Sequence, residues 1–207
     1  AKAARQKKKA KTKSKKGGKR GRPKGSKNRD KTQVTLTPEL TRIQKMVRQL
    51  LELIADQLHL GHLVLDGHFG NNNALQMTLQ CGLHLISKLR RDAALYCLYD
   101  GPQAAKGPRR RYGDKLDTDQ IPEKYRQEST IKKEIRTDIY QAEMLHREFA
   151  QTLNVVIVCK TNLKTGARAH VILFSSDLTL GYAQMIDFYS LRFQIEFNFR
   201  DAKQYWG

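Results

Sequence analysis

Tyr189, Arg192, Glu196 and Lys203 fall within the 15 residues YSLRFQIEFNFRDAK, at intervals of three, four and seven. At about 100° per residue these intervals place all four on one helical stripe roughly 60° wide. Leu191, Ile195, Phe199 and Trp206 flank the stripe on one side, and Ile186, Phe193 and Phe197 on the other. Asp187, Gln194, Asn198 and Asp201 lie opposite. The pattern predicts a helix whose ionisable groups face inward or into a cleft while a separate polar back meets water. A carboxylate so placed is costly unless it is paired or bound to a metal. Two chemistries therefore stand open: a Glu196–Arg192 ion pair at i, i+4 that tethers the helix, or a carboxylate that binds a cation beside phosphate-seeking Arg and Lys.

The elements that must position this stripe can be read around it. The helix carrying it runs from about Leu178 to the C-terminus. HLVLDGHFG reads as a short apolar strand, His62 to Leu65, that delivers Asp66 at its C-terminal end. NNNALQMTLQCG reads as a helix closed by Gly82, and LHLISKL as a second strand, so strand, helix and strand fit a parallel crossover. Further upstream, Thr37 suits an N-cap, Pro38 the first helical position and Glu39 the positive end of the dipole. Apolar residues from Leu40 at helical spacing carry that helix to about Leu58. Residues 100–127 read as loop, NVVIVCK and AHVILFS as a hairpin around TNLKTGAR, and residues 130–150 fit helix and strand equally.

The order Tyr, two residues, Arg, three residues, Glu, six residues, Lys resembles the Y-R-E-K signature of DDE transposases of bacterial insertion sequences, the insertion sequence four family. Tyr189, Arg192, Glu196 and Lys203 fit it at every spacing. LVLDGHFG resembles the segment that carries the second catalytic Asp, which corresponds to Asp66. AALYCLYDGPQAAKGPRRRYGDKLD resembles the start of the strand-rich insertion before the catalytic Glu, and 129 residues separate Asp66 from Glu196. The resemblance implies an α/β, partly RNase H-like fold. It implies Asp66 and Glu196 as ligands of Mg²⁺, with Mn²⁺ as a substitute, and Tyr189, Arg192 and Lys203 as catalytic-face residues. Arg192 and Lys203 would contact phosphates of double-stranded DNA. The family's first Asp ends an early strand, and no such strand precedes Asp66. The chain, which starts at Ala1, is therefore expected to be a fragment with an incomplete triad, inactive alone. Synapsis of two transposon ends implies a homodimer for the intact protein, and the family implies a cytoplasmic, nucleoid-associated bacterial setting.

Charge supports a nucleic-acid partner. The net charge is +19, yet residues 1–31 hold 16 Lys and Arg against the single acid Asp30, leaving only +4 for the rest. Residues 1–33 have too few apolar side chains to offset ordering entropy and are expected to be a disordered basic segment. Within it KRGRPKGSK resembles an AT-hook core: Arg20 and Arg22 would enter an A·T minor groove, Gly21 keeping the backbone thin and Pro23 holding it extended. Lys24 and Lys27 would add phosphate contacts. The expected division is 1–33 tail, 34–99 first part of the catalytic domain, 100–177 β-rich insertion and 178–207 the helix with the signature. The rival function is a non-catalytic DNA-binding protein acting through its tail. Three widely spaced cysteines read as reduced packing residues, and His59, His62 and His68 lack zinc spacing. No phosphate loop, Ser-His-Asp order or membrane-length apolar run is present.

Overall fold

Strands buried on both faces make the centre of the molecule, and they are the apolar runs of the sequence. The computed structural model describes residues 30–206. In chain order it contains α1 (Pro38–Ile54), β1 (His62–Val64), α2 (Asn72–Leu79), β2 (His84–Leu89), β3 (Leu95–Leu98), β4 (Tyr112–Lys115), β5 (Arg126–Lys132), β6 (Ile135–His146), β7 (Leu153–Asn162), β8 (Arg168–Ser175) and α3 (Tyr182–Tyr205). The strands form one sheet in the order β1-β2-β8-β7-β6-β3-β4, with β5 pairing alongside β6. Strands from segment 34–99 and from segment 100–177 thus share a single sheet.

Period-two alternation splits each central strand between two cores. Leu153, Val155, Ile157 and Cys159 of β7 join Ile172 and Phe174 of β8 and Leu85 and Leu89 of β2 on one face, covered by Leu40 of α1 and Ala74, Leu75 and Met77 of α2. Val156, Leu173 and Ile86 point to the other face, where Met185 and Tyr189 of α3 cover them. The result is a mixed α/β molecule of three layers, in line with the expected fold class. The parallel crossover is also as expected, with His62 opposite His84 and Val64 opposite Ile86, and β7 and β8 form the expected hairpin.

Elsewhere the structure decides what the sequence left open, or departs from it. Residues 126–146 are a strand hairpin, and its two-residue turn is Lys133–Glu134, both at positive φ (46° and 61°). Such a turn favours Asn-Gly or Asp-Gly, so a Lys-Glu turn leaves no signal in the sequence. The stretch read as loop contains β4, whose Tyr112 pairs with Leu98. Helix α1 ends at Ile54, a turn earlier than the apolar spacing allows. Its start is as expected, with the Thr37 side chain accepting from Leu40 N. Residues 30–33, expected to belong to the tail, are held to the fold: Asn72 Nδ2 donates to Lys31 O at 2.8 Å. Residues 1–29 lie outside the described residues, and with them the expectation of disorder.

Candidate active site

Asp66 is fixed by the backbone around it. Leu65 N–H donates to Ile86 O at 3.0 Å and so extends the β1–β2 ladder to the residue before Asp66. The chain then turns sharply into a 3₁₀ turn, Gly67–Phe69, capped by the Asp66 side chain, whose Oδ1 accepts from Gly67 N at 2.6 Å. The Asp66 carbonyl accepts from Ser87 Oγ at 2.9 Å and from Phe69 N at 2.8 Å. The turn hugs β2 closely. A Cβ at Gly70 would stand 2.1 Å from Lys88 O, and one at Gly67 2.9 Å from Lys88 Cε. Only glycine lets the backbone approach this near at Gly70. These two glycines and Ser87 are positioning residues that the sequence alone did not reveal.

Helix α3 reaches Asp66 from 116 positions further along the chain. Its start is pinned to the sheet by a buried amide network. Asn154 Nδ2 donates to Leu180 O at 2.7 Å and to Asp177 O at 2.9 Å. Gln141 Nε2 donates to Asn154 Oδ1 at 2.9 Å and to Leu180 O at 2.8 Å, and Gln141 Oε1 accepts from Tyr182 N at 3.0 Å. Every amide is used, so the network holds the helix in one orientation. Met185, fully buried, then seats the helix on the sheet.

The consequence is a meeting of Asp66 with two residues of the stripe. Arg192 Nη1 stands 3.9 Å from Asp66 Oδ1, with 19% of the Arg192 side chain exposed against 54% for Asp66. The guanidinium lies 4.5 Å from the Phe193 ring centre and 5.7 Å from that of Tyr189. Tyr189 is buried, its hydroxyl without a hydrogen-bond partner among the described residues. Burial pushes this hydroxyl above the ordinary tyrosine range; Arg192 opposes the shift and the Asp66 charge reinforces it. The phenol is therefore held neutral beside the ion pair.

The other stripe residues fare differently. Lys203 is exposed in the last turn of α3. Glu196 belongs to α3, but its side chain lies outside the described residues. The expected apolar walls are exposed too: Leu191 52%, Phe193 46%, Ile195 55%, Phe197 52%, Phe199 68% and Trp206 91%. An inward-facing position thus holds for Tyr189 and Arg192 and not for Lys203. Arg20, Gly21, Arg22, Pro23, Lys24 and Lys27 of the AT-hook-like segment lie outside the described residues.

Hard cations take carboxylate oxygens, and Asp66 offers one: its group is half exposed and only Oδ1 is hydrogen-bonded among the described residues. It fits as one ligand. No three His, Cys, Asp or Glu side chains converge among the described residues. The remaining candidates are structural. His62 Nε2 lies 3.0 Å from Asp177 Oδ2 and its ring packs on His84 and Phe188, His68 is exposed near Glu39, and Cys81, Cys97 and Cys159 are free thiols.

No curated protein matches the chain. A family model described as DDE superfamily endonuclease matches residues 4–152, a span that takes in Asp66 and its turn, α1, α2 and the strands through β6. The open sheet with helices on both faces is consistent with an RNase H-like nuclease fold of that superfamily. The match covers well over half of the chain and agrees with the fold: the chain belongs to the DDE superfamily of endonucleases.

Proposed function

We propose that this DDE endonuclease chain is part of a transposase of the insertion sequence four type, cutting and joining DNA at transposon ends. The observation that carries the proposal is the approach of Asp66, at the end of β1, to Arg192 of the Y-R-E-K helix at 3.9 Å. Two segments remote in sequence, each resembling a catalytic segment, come together in the fold. In the reaction a water oxygen attacks a phosphodiester phosphorus and the P–O bond to the 3′ oxygen breaks; the freed 3′-hydroxyl then attacks a target phosphorus, forming a new P–O bond as the bond to the target's own 3′ oxygen breaks and that oxygen leaves as a hydroxyl. A bound pair of Mg²⁺ ions, or Mn²⁺, would activate the attacking oxygen and stabilise the leaving one. Asp66 and Glu196 are the carboxylates of this chain that would hold them. Arg192 offsets the Asp66 charge and is poised for a phosphate oxygen of the scissile strand. Tyr189, neutral and buried, packs Arg192 in place, and Lys203 meets the transposon end further along the helix. Double-stranded DNA is the partner, and pairing of two ends suits a homodimer.

Among the described residues no strand ends in a carboxylate before Asp66, so the 207-residue chain alone should neither nick nor join DNA with Mg²⁺ or Mn²⁺. Joined to a segment that supplies one, the same residues should do both. In that context Asp66→Asn and Glu196→Gln should each abolish strand cleavage while sparing end binding, because each removes a ligand and little volume. Cleavage by the 207-residue chain that depends on Glu196 would refute the incomplete triad. DNA binding with no cleavage in any context would leave the non-catalytic alternative.

A further inference from the structure

At the far edge of the sheet from Asp66, the β3–β4 hairpin carries YDGPQAAKGPRRRYGDK, Tyr99 to Lys115, with five Lys and Arg against two Asp. Residues 102–111 are all exposed. A charged loop is ordinarily solvated and mobile, but this one is braced. Gln103 clamps Arg110 through both backbone groups, Nε2 donating to Arg110 O and Oε1 accepting from Arg110 N, each at 2.8 Å. Tyr99 N donates to Arg111 O at 3.0 Å and Tyr99 Oη to Pro102 O at 3.0 Å. The Arg110 guanidinium covers the Tyr99 ring at 4.4 Å and its Nε donates to Tyr112 O at 3.0 Å. Arg110 is thus spent on the loop itself. Its neighbours Arg109 and Arg111 make no ion pair among the described residues, although other surface cations do, such as Lys164 with Glu134 at 2.8 Å.

We propose that this hairpin is a second DNA-contacting element, in which Arg109 and Arg111 bind backbone phosphates of duplex DNA. Two guanidiniums without carboxylate partners, held on a braced tip, suit a polyanion of regular spacing, and bracing lowers the entropy lost on contact. The inference rests on DNA being the substrate of the chain, as its family implies. Six strand spacings of about 4.8 Å separate β4 from β1, so the hairpin meets DNA on the order of 30 Å from Asp66, roughly nine base pairs along a B-form duplex.

The test is the salt dependence of binding to a 30-base-pair duplex by the full chain, measured by fluorescence anisotropy. The plot of log K against log salt should lose about 1.8 in slope in Arg109→Ala/Arg111→Ala, at about 0.9 for each phosphate contact. Arg109→Lys/Arg111→Lys should restore most of it, which a merely misfolded loop would not allow. Trypsin cleavage after Arg109 and Arg111 should also slow when the duplex is added at low salt. An unchanged slope together with unchanged trypsin cleavage would overturn the proposal. Neither readout involves strand cleavage, so failure here leaves the catalytic reading standing and the reverse also holds.

Discussion

Asp66 and Arg192 show how single residues inherit their roles from neighbours. The carboxylate is aimed by a 3₁₀ turn that needs Gly70, and the guanidinium lies against the Phe193 ring and near that of Tyr189. Asp177 plays the supporting part at the opposite end of β1. Burial alone would raise its pKa, yet it is held below the usual carboxylate value by Thr179, whose N–H and hydroxyl both donate to it, and by His62. Because the folded-state pKa is depressed, the folded protein takes up this proton less readily than the unfolded chain. The associated stability is complete above the unfolded value of about 3.9 and is lost as pH falls through the folded one. Asp177→Asn should therefore be less stable than wild type by roughly 1–2 kcal/mol at pH 7 in urea unfolding. The gap should narrow steadily below about pH 4. A gap of constant size down to pH 2.5 would show that the charge of Asp177 is not what matters.

At the scale of elements, α3 separates what can be read in the sequence from what cannot. The stripe from Tyr189 to Lys203 was legible because helical periodicity is local, and so was the Asp66 strand, whose apolar run and Asp-Gly end sit within a few residues. How far a helix is covered depends on the width of the sheet beneath it, which no window of sequence contains. Helix α3 starts over β6 and β7, where Gln141 and Asn154 hold it, and reaches β1 by Arg192. Those ten residues span about 15 Å, close to the three strand spacings from β7 to β1. The rest of α3 runs past the edge strand by about 20 Å, so its apolar flanks find no sheet to cover them. The β5–β6 hairpin was illegible for another reason, its Lys-Glu turn lacking the usual residues. The overhang has an energetic signature. Met185→Ala, in the anchored half, should cost about 2–5 kcal/mol, whereas Phe199→Ala, although it deletes the larger side chain, should change the stability of this chain by less than about 0.5 kcal/mol. Chemical denaturation of the two variants compares them directly. A cost for Phe199→Ala equal to that for Met185→Ala would mean that something covers the distal half in solution.

For the whole molecule the governing quantity is where the charge sits. Residues 1–29 carry 15 Lys and Arg and no acid, while residues 30–207 carry 24 against 20. The described residues begin at Asp30, and the Lys31 carbonyl accepts from Asn72, six residues beyond Asp66. The tail is therefore tethered to the same end of α2 that the Asp66 turn leads into. On the proposed function, a phosphate backbone drawn in by the tail would be concentrated near that turn, and the net +4 of residues 30–207 would leave the tail as the main source of attraction. Counterion release makes this measurable: each neutralised phosphate adds about 0.9 to the salt slope, so a tail engaging most of its cations gives a slope on the order of −10. Replacing the 15 tail cations by Gln keeps the chain length and removes the charge. The variant should retain a slope of about −2 to −4, carried by the β3–β4 hairpin and the cations of α3. If the slope stayed near the wild-type value after the replacement, the folded part would be carrying the electrostatics, and the uneven charge of the sequence would have to be explained by something other than DNA capture.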